Sequence, residues 1–216
     1  MTSETNFIIC KRQIIMTDKS TIMAQKAALR KQLNNILNSL TTDDITRQSD
    51  IVLEKVLKHP VYQAATSVSV YLSFDKEIQT DKLLQDIFKS GKKCYIPRFR
   101  KGVPDMEMVH LKSLDDYEQL PLNRWNIRQP RDDDKRRSVF DDGSLDVVLM
   151  PGLGFTRDGH RLGRGKGYYD GFLTRCFKRL SARPATLALA FQQQIVPSIP
   201  CTETDVRVDE VLFVEE

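Results

Sequence analysis

Apolar residues near the start of the chain recur at helical spacing. Ile22, Leu29, Leu33, Ile36, Leu37 and Leu40 predict a helix with one buried stripe and one basic face, and Ser20 is placed to cap it. Thr41 to Asp44 breaks that pattern, and Ile45, Val52, Val56 and Leu57 predict a second helix. It should stop at His59-Pro60, because the residue before a proline disfavours the helical region. From Ser67 the period changes to two, with Val68, Val70 and Leu72 alternating with smaller or polar residues as in a strand. A helix capped by Thr80 should run through Phe88 to a stop at Gly91, followed by strands over 93–97 and 106–111. The mixed charges of 131–137 predict a solvated loop. The nearly continuous apolar run 145–150 predicts a strand covered on both faces. A helix over 168–180 and strands over 186–191 and 211–214 complete the pattern.

Strands alternating with helices predict an α/β fold, a three-layer sandwich with a mostly parallel central sheet, since parallel neighbours need crossover connections. No repeat or linker divides the chain, so residues 20–216 should form one domain behind an N-terminal extension, 1–19, expected to be flexible. The 216 residues, 40% hydrophobic and 29% charged, can bury a substantial core and exclude disorder of the whole. A net charge of +4 is too mild to announce a nucleic-acid protein, although clustered cations would suit an anionic small ligand. Cys10, Cys94, Cys176 and Cys201 lack paired spacing, which argues against a zinc site or a disulfide framework and for a reducing compartment. No apolar run reaches the roughly 18 residues of a membrane span. The start has no secretory pattern, so a cytoplasmic location is expected, while its basic, weakly apolar character also suits a mitochondrial address.

Chemistry concentrates in one loop. Seven of the ten glycines lie between Gly152 and Gly171, together with Arg157, His160, Arg161, Arg164 and Lys166. Glycine is the residue that loses most freedom on folding, so glycines alternating with cations suggest backbone that must approach a ligand with its amides exposed. Amides, cations and a helix start converging on one point form a phosphate site. The loop follows the predicted strand 145–150, and open α/β sheets bind ligands beyond the carboxyl ends of their strands. Neither a Walker A loop nor a dinucleotide fingerprint fits the spacing. A flexible surface turn is the plain alternative.

The run Arg161-Leu162-Gly163-Arg164-Gly165-Lys166-Gly167-Tyr168-Tyr169-Asp170, preceded by Met150-Pro151-Gly152-Leu153-Gly154-Phe155, resembles the signature of the 5-formyltetrahydrofolate cyclo-ligases, also called methenyltetrahydrofolate synthetases. The likeness extends from about Lys26 to the end. It takes in Tyr95-Ile96-Pro97-Arg98, Trp125-Asn126-Ile127, Thr186 through Phe191 and Asp205 through Glu210.

The resemblance implies a NagB/RpiA/CoA-transferase-like sandwich and closure of 5-formyltetrahydrofolate to 5,10-methenyltetrahydrofolate, driven by ATP and dependent on Mg²⁺. It makes Lys166 and Arg164 the leading catalytic candidates. ATP contacts would fall to Lys26, Arg30, Arg161, Leu162, Gly163, Gly165, Gly167, Tyr168 and Tyr169 along with that pair. Substrate contacts would fall to Leu72, Glu77, Trp125, Tyr168 and residues 164–167. Asp170 and Asp205 would be magnesium ligands.

Plainer readings stand beside these. Asp170 suits the first turn of a helix, Asp205 an exposed loop, Lys26 and Arg30 a solvated helix face, and a lone tryptophan a core. The histidines fit no nucleophile arrangement in the sequence. Two other functions compete: a single-stranded nucleic-acid platform built on Tyr168, Tyr169 and the loop cations, and a sugar-phosphate isomerase or transferase acting without ATP. The leading reading expects no nucleic-acid or membrane partner and a monomer.

Overall fold

The computed structural model describes residues 19–100, 102–123 and 127–215, so Trp125 and nearly all of the expected extension lie outside the described residues. The strands are β1 (Ser67–Ser69), β2 (Lys93–Phe99), β3 (Met106–Leu111), β4 (Val147–Met150), β5 (Gly154–Phe155), β6 (Arg161–Leu162), β7 (Ala185–Leu189) and β8 (Glu210–Leu212). Six of them form one sheet in the order β3-β2-β1-β4-β7-β8, and β5 with β6 make a small separate hairpin. Every pairing in the large sheet is parallel except β2 with β3 at the edge.

The helices are α1 (Lys19–Asn38), α2 (Thr42–Lys58), α3 (Pro60–Ala64), α4 (Asp81–Lys89), α5 (Leu114–Glu118), α6 (Val139–Asp142) and α7 (Tyr168–Arg179). Side chains on a strand point alternately to opposite faces, and here both faces are apolar. Val147, Leu149, Leu187 and Leu189 join one core with α1, α2 and α4. Val148, Met150, Ala188 and Ala190 join another with Phe172, Leu173 and Cys176 of α7. These are the three layers of the sandwich, and they explain why the 145–150 run alternates in side but not in polarity.

Two carboxylates fix the starts of parallel neighbours. Asp146 Oδ2 accepts hydrogen bonds from the amides and hydroxyls of both Thr66 and Ser67 at 2.8–3.0 Å, tying the start of β4 to that of β1. Asp209 Oδ2 does the same for β7 through the amide and hydroxyl of Thr186, each at 2.8 Å.

Several elements depart from the pattern in the sequence. Thr41 caps α2 with a reciprocal bond to Asp44 as the break there implied, but Ser20 lies inside α1 instead of capping it. His59 ends α2 and also caps α3, its Nδ1 accepting from the Val61 amide at 3.2 Å. The first strand is shorter than its alternation suggested, and Leu57 is exposed. Within the supposed solvated loop, Arg136 is drawn inward and clamps both oxygens of Asp116 at 2.6 and 2.7 Å. Among the described residues no helix is long and apolar enough to cross a membrane.

Burial opposes ionisation of Asp146, but the hydrogen bonds from Thr66 and Ser67 outweigh it and hold the carboxyl below its ordinary 3.8. A folded-state value below the unfolded one gives stability that is complete above about pH 4 and fades as pH falls through the folded value. Asp146→Ala should therefore lower unfolding free energy at pH 7 by about 1 kcal/mol, discounted for solvent exposure. In urea titrations the gap from wild type should shrink below pH 4; a gap that persists at low pH would contradict the assignment.

Candidate active site

The chain leaves β1 toward β2 through α4 and leaves β4 toward β7 through α7, so the crossovers depart in opposite directions from adjacent strands. A crevice must open beyond the carboxyl ends of β1 and β4. β1 also ends early: its last pair is Ser69 with Tyr95, while β2 continues to Phe99. Pro97, which has no amide to donate, therefore sits where β1 offers no partner and costs no ladder bond on that side. The resulting cleft has a volume of about 550 Å³.

One wall belongs to the loop after β4. Pro151 to Leu153 lead into the β5–β6 hairpin, and Gly163 to Gly167 then form the approach to α7. Gly165 and Gly167 have φ of 97° and 67°, a left-handed backbone that disfavours side chains, and Gly167 is the N-cap of α7. Arg164 and Lys166, which flank Gly165, are exposed. Gly165 and Gly167 thus take backbone conformations that favour glycine.

α1 faces this loop. Lys19, Met23, Lys26 and Arg30 border the cleft, while Leu33 and Leu37, further along the same stripe, enter the core. The basic face and the buried stripe of α1 are therefore one face, not two as the periodicity suggested. Lys26 is only 5% exposed, which a solvated helix lysine would not be. Its Nζ reaches Asp205 Oδ2 at 2.5 Å, and Arg30 Nε donates to the Gly163 carbonyl at 2.9 Å.

Both carboxylates expected at the site border the cleft. Asp205 Oδ2 also accepts from the Thr202 amide and hydroxyl at 2.5 and 2.9 Å. Burial opposes its charge, but Lys26 and Thr202 outweigh burial and keep its pKa low. Asp170 Oδ1 accepts from the Val206 amide at 3.1 Å, next to Asp205, and Asp170 Oδ2 takes Arg161 Nη2 at 3.0 Å. Asp170 is more than a first-turn charge, since it joins α7 to the 202–206 loop. These hard oxygens suit Mg²⁺, which takes few protein carboxylates and completes its shell with phosphate and water. No group of three acidic, histidine or cysteine ligands occurs among the described residues.

The same cleft is also lined by Tyr71, Leu72, Phe74, Glu77, Pro97, Phe99 and Gln129. Glu77 is 5% exposed and accepts from Arg164 Nη2 at 3.1 Å and from the Phe74 amide at 3.2 Å. Burial raises its pKa despite the opposing pull of Arg164. Arg164 also lies over the Phe74 ring at 5.1 Å, and Tyr168 meets Phe99 with ring centroids 4.8 Å apart.

Some expected contacts take other roles. The side chain of Leu162 packs with Leu33 and Ile199, and its carbonyl accepts from the Leu153 amide at 2.8 Å. Tyr169 is 8% exposed and lies under the Arg161 guanidinium at 5.4 Å, so it offers no free stacking face. Arg161 is itself buried between Asp170 and Tyr169. His160 Nδ1 lies 3.2 Å from Cys201 Sγ, a contact 41 residues apart that spacing does not reveal. Burial, then nearby Asp205, raises the Cys201 pKa and leaves it a poor nucleophile.

Gln194 was missed altogether. Buried, it donates to the Gly152 carbonyl at 2.6 Å and accepts from the Phe191 amide at 2.8 Å, fixing the entry of the loop. A glutamine in the run Gln192-Gln193-Gln194 carries no sequence signal.

Comparison with known proteins agrees with this architecture. The sequence model of the 5-formyltetrahydrofolate cyclo-ligase family matches residues 22–214. The chain is 44% identical over 193 residues to the 5-formyltetrahydrofolate cyclo-ligase of Mus musculus, covering 89% of this chain and 95% of the mouse protein. It is 37% identical over 195 residues to the probable 5-formyltetrahydrofolate cyclo-ligase of Caenorhabditis elegans, covering 90% and 95%. The NMR structure of Aquifex aeolicus 5,10-methenyltetrahydrofolate synthetase superimposes with a TM-score of 0.68 at 23% identity, covering 87% of this chain and 89% of that one, and shares the fold. With the match spanning nearly all of the described residues, the chain belongs to the 5-formyltetrahydrofolate cyclo-ligase family.

Proposed function

We propose that the protein converts 5-formyltetrahydrofolate and ATP into 5,10-methenyltetrahydrofolate, ADP and phosphate. The observation that carries this reading is the division of one cleft between a cationic glycine turn and an aromatic slot backed by a buried carboxylate. The first suits a polyphosphate and the second a flat heterocycle with N–H donors.

The chemical obstacle is the formamide. Its nitrogen lone pair is delocalised into the carbonyl, and its oxygen is a poor leaving group. Transfer of the γ-phosphoryl group of ATP to the formyl oxygen removes both difficulties. The neighbouring secondary amine of the folate then attacks the formyl carbon. Closing the five-membered ring breaks the C–O bond, phosphate leaves with the former formyl oxygen, and the amine proton is released.

Phosphoryl transfer asks the protein chiefly for alignment and charge neutralisation. Lys166 is exposed in the turn, with no ion-pair partner among the described residues, which supports a role in neutralising the transferring group. Arg164 stands between the turn and Glu77, where it can serve the phosphorylated formyl group. Gly163, Gly165 and Gly167 supply backbone amides, and Lys26 and Arg30 hold the rest of the triphosphate. Glu77, Leu72, Phe99 and Tyr168 hold the pterin, with Glu77 accepting from its N–H donors. Asp205, whose Oδ1 has no hydrogen bond among the described residues, and Asp170 would hold Mg²⁺, which supplies neutralisation of the β- and γ-phosphates when bound. The nucleic-acid alternative keeps only Tyr168 of its two stacking tyrosines, because Tyr169 is buried.

Mixing the protein with 5-formyltetrahydrofolate, ATP and Mg²⁺ should generate methenyltetrahydrofolate absorbance with one ADP per product, and absence of ATP-dependent product would refute the proposal. Lys166→Ala should lower kcat about 10²- to 10³-fold with an unchanged melting temperature, the usual cost of removing one transition-state donor on an exposed loop. Wild-type kcat in that variant would remove Lys166 from the mechanism.

A further inference from the structure

Resting on the ATP reading above, we infer that Met23 carries the nucleotide's base, with the nucleoside lying along the first two turns of α1 toward Lys19. Consecutive residues of the glycine turn fix the direction. The Gly163 carbonyl holds Arg30 on the α1 side, whereas Arg164 holds Glu77 on the folate side. The phosphoryl group in transfer must therefore lie between these two contacts. The remaining phosphates then run away from Glu77, past Arg30 and Lys26, toward the 202–205 loop that Lys26 binds through Asp205.

Lys19, Met23, Lys26 and Arg30 follow one helical stripe at intervals of four, three and four residues, and all border the cleft. From Arg30 to Lys19 the helix rises roughly 16 Å. One turn beyond the last phosphate cation on this stripe comes Met23, a large apolar side chain 48% exposed at the cleft wall, with Thr204 bordering the same cleft. Single exposed apolar side chains are ordinary on a protein surface, and what distinguishes Met23 is its place in the cleft wall one turn beyond Lys26. Met23 is well suited to a planar heterocycle, since its flexible, polarisable thioether packs favourably on aromatic rings. A platform of this kind makes no directional hydrogen bond. It should therefore favour purines over pyrimidines by area and discriminate weakly between adenine and guanine.

The test is calorimetric titration of the full-length protein with ADP and with inorganic tripolyphosphate in Mg²⁺, alongside steady-state kinetics, for wild type, Met23→Ala and Met23→Leu. Met23→Ala should weaken ADP binding and raise KM for ATP about three- to tenfold, more than it changes kcat or the folate KM. It should leave tripolyphosphate affinity near wild type, and Met23→Leu should recover most of the loss. Equal ADP affinity in wild type and Met23→Ala would overturn the inference, as would equal losses for ADP and tripolyphosphate. An ADP-specific loss in a protein that produces no methenyltetrahydrofolate would support the base site and sink the reaction instead.

Discussion

Parallel strands cannot be joined by a hairpin, and in this sheet the crossovers leave β1 and β4 in opposite directions. No helix can then cover the carboxyl ends of both strands, and the truncation of β1 at Ser69 widens the gap further. Everything at the site depends on that opening. The loop after β1 brings Leu72 and Glu77, the end of β2 brings Pro97 and Phe99, and the loop after β4 brings the glycine turn. The carboxylate clamps of Asp146 and Asp209 hold the opposite, amino ends of β1 and β7 in the same sheet, so cohesion and chemistry occupy different ends of the sheet.

Charge within the cleft follows one scheme. Lys26 faces Asp205, Arg161 faces Asp170 and Arg164 faces Glu77, each pair joining segments distant in sequence or across a turn. Burying ions has a desolvation cost that pairing only offsets, and removing one partner leaves the other exposed to the full penalty. Under the proposed reaction, the pairs would keep cations where a polyphosphate can use them and neutralise them in its absence. Arg164 is the most telling. Its partner Glu77 is deeply buried, and the exposed Arg164 reaches it from the glycine turn at 3.1 Å.

Much of this was legible from residue order alone. The two-sided apolar run ending at Met150 and the helix from Tyr168 are both in the structure, and the glycines between them marked the turn. Less legible was anything set by three-dimensional context. Helical periodicity assigns Lys26 to the polar side because lysine is polar, whereas the fold turns the start of the apolar stripe of α1 over a cleft where a cation has Asp205 as partner. Tyr168 and Tyr169 are neighbours of identical chemistry, yet the helix turns one toward Phe99 and the other into the core. Gln194 acts by bonding backbone carbonyls 41 and 42 residues away, which no local pattern encodes. Ser20 failed as a cap because α1 already begins at Lys19 among the described residues.

In the proposed reaction the cleft brings the terminal phosphoryl of ATP onto the formyl oxygen of the folate. Labelling that oxygen with ¹⁸O and analysing the phosphate released over one turnover by mass spectrometry tests this directly. The label should appear in the phosphate, one atom per methenyltetrahydrofolate formed. Label released into water, with unlabelled phosphate, would mean that the phosphoryl group never reached the formyl oxygen.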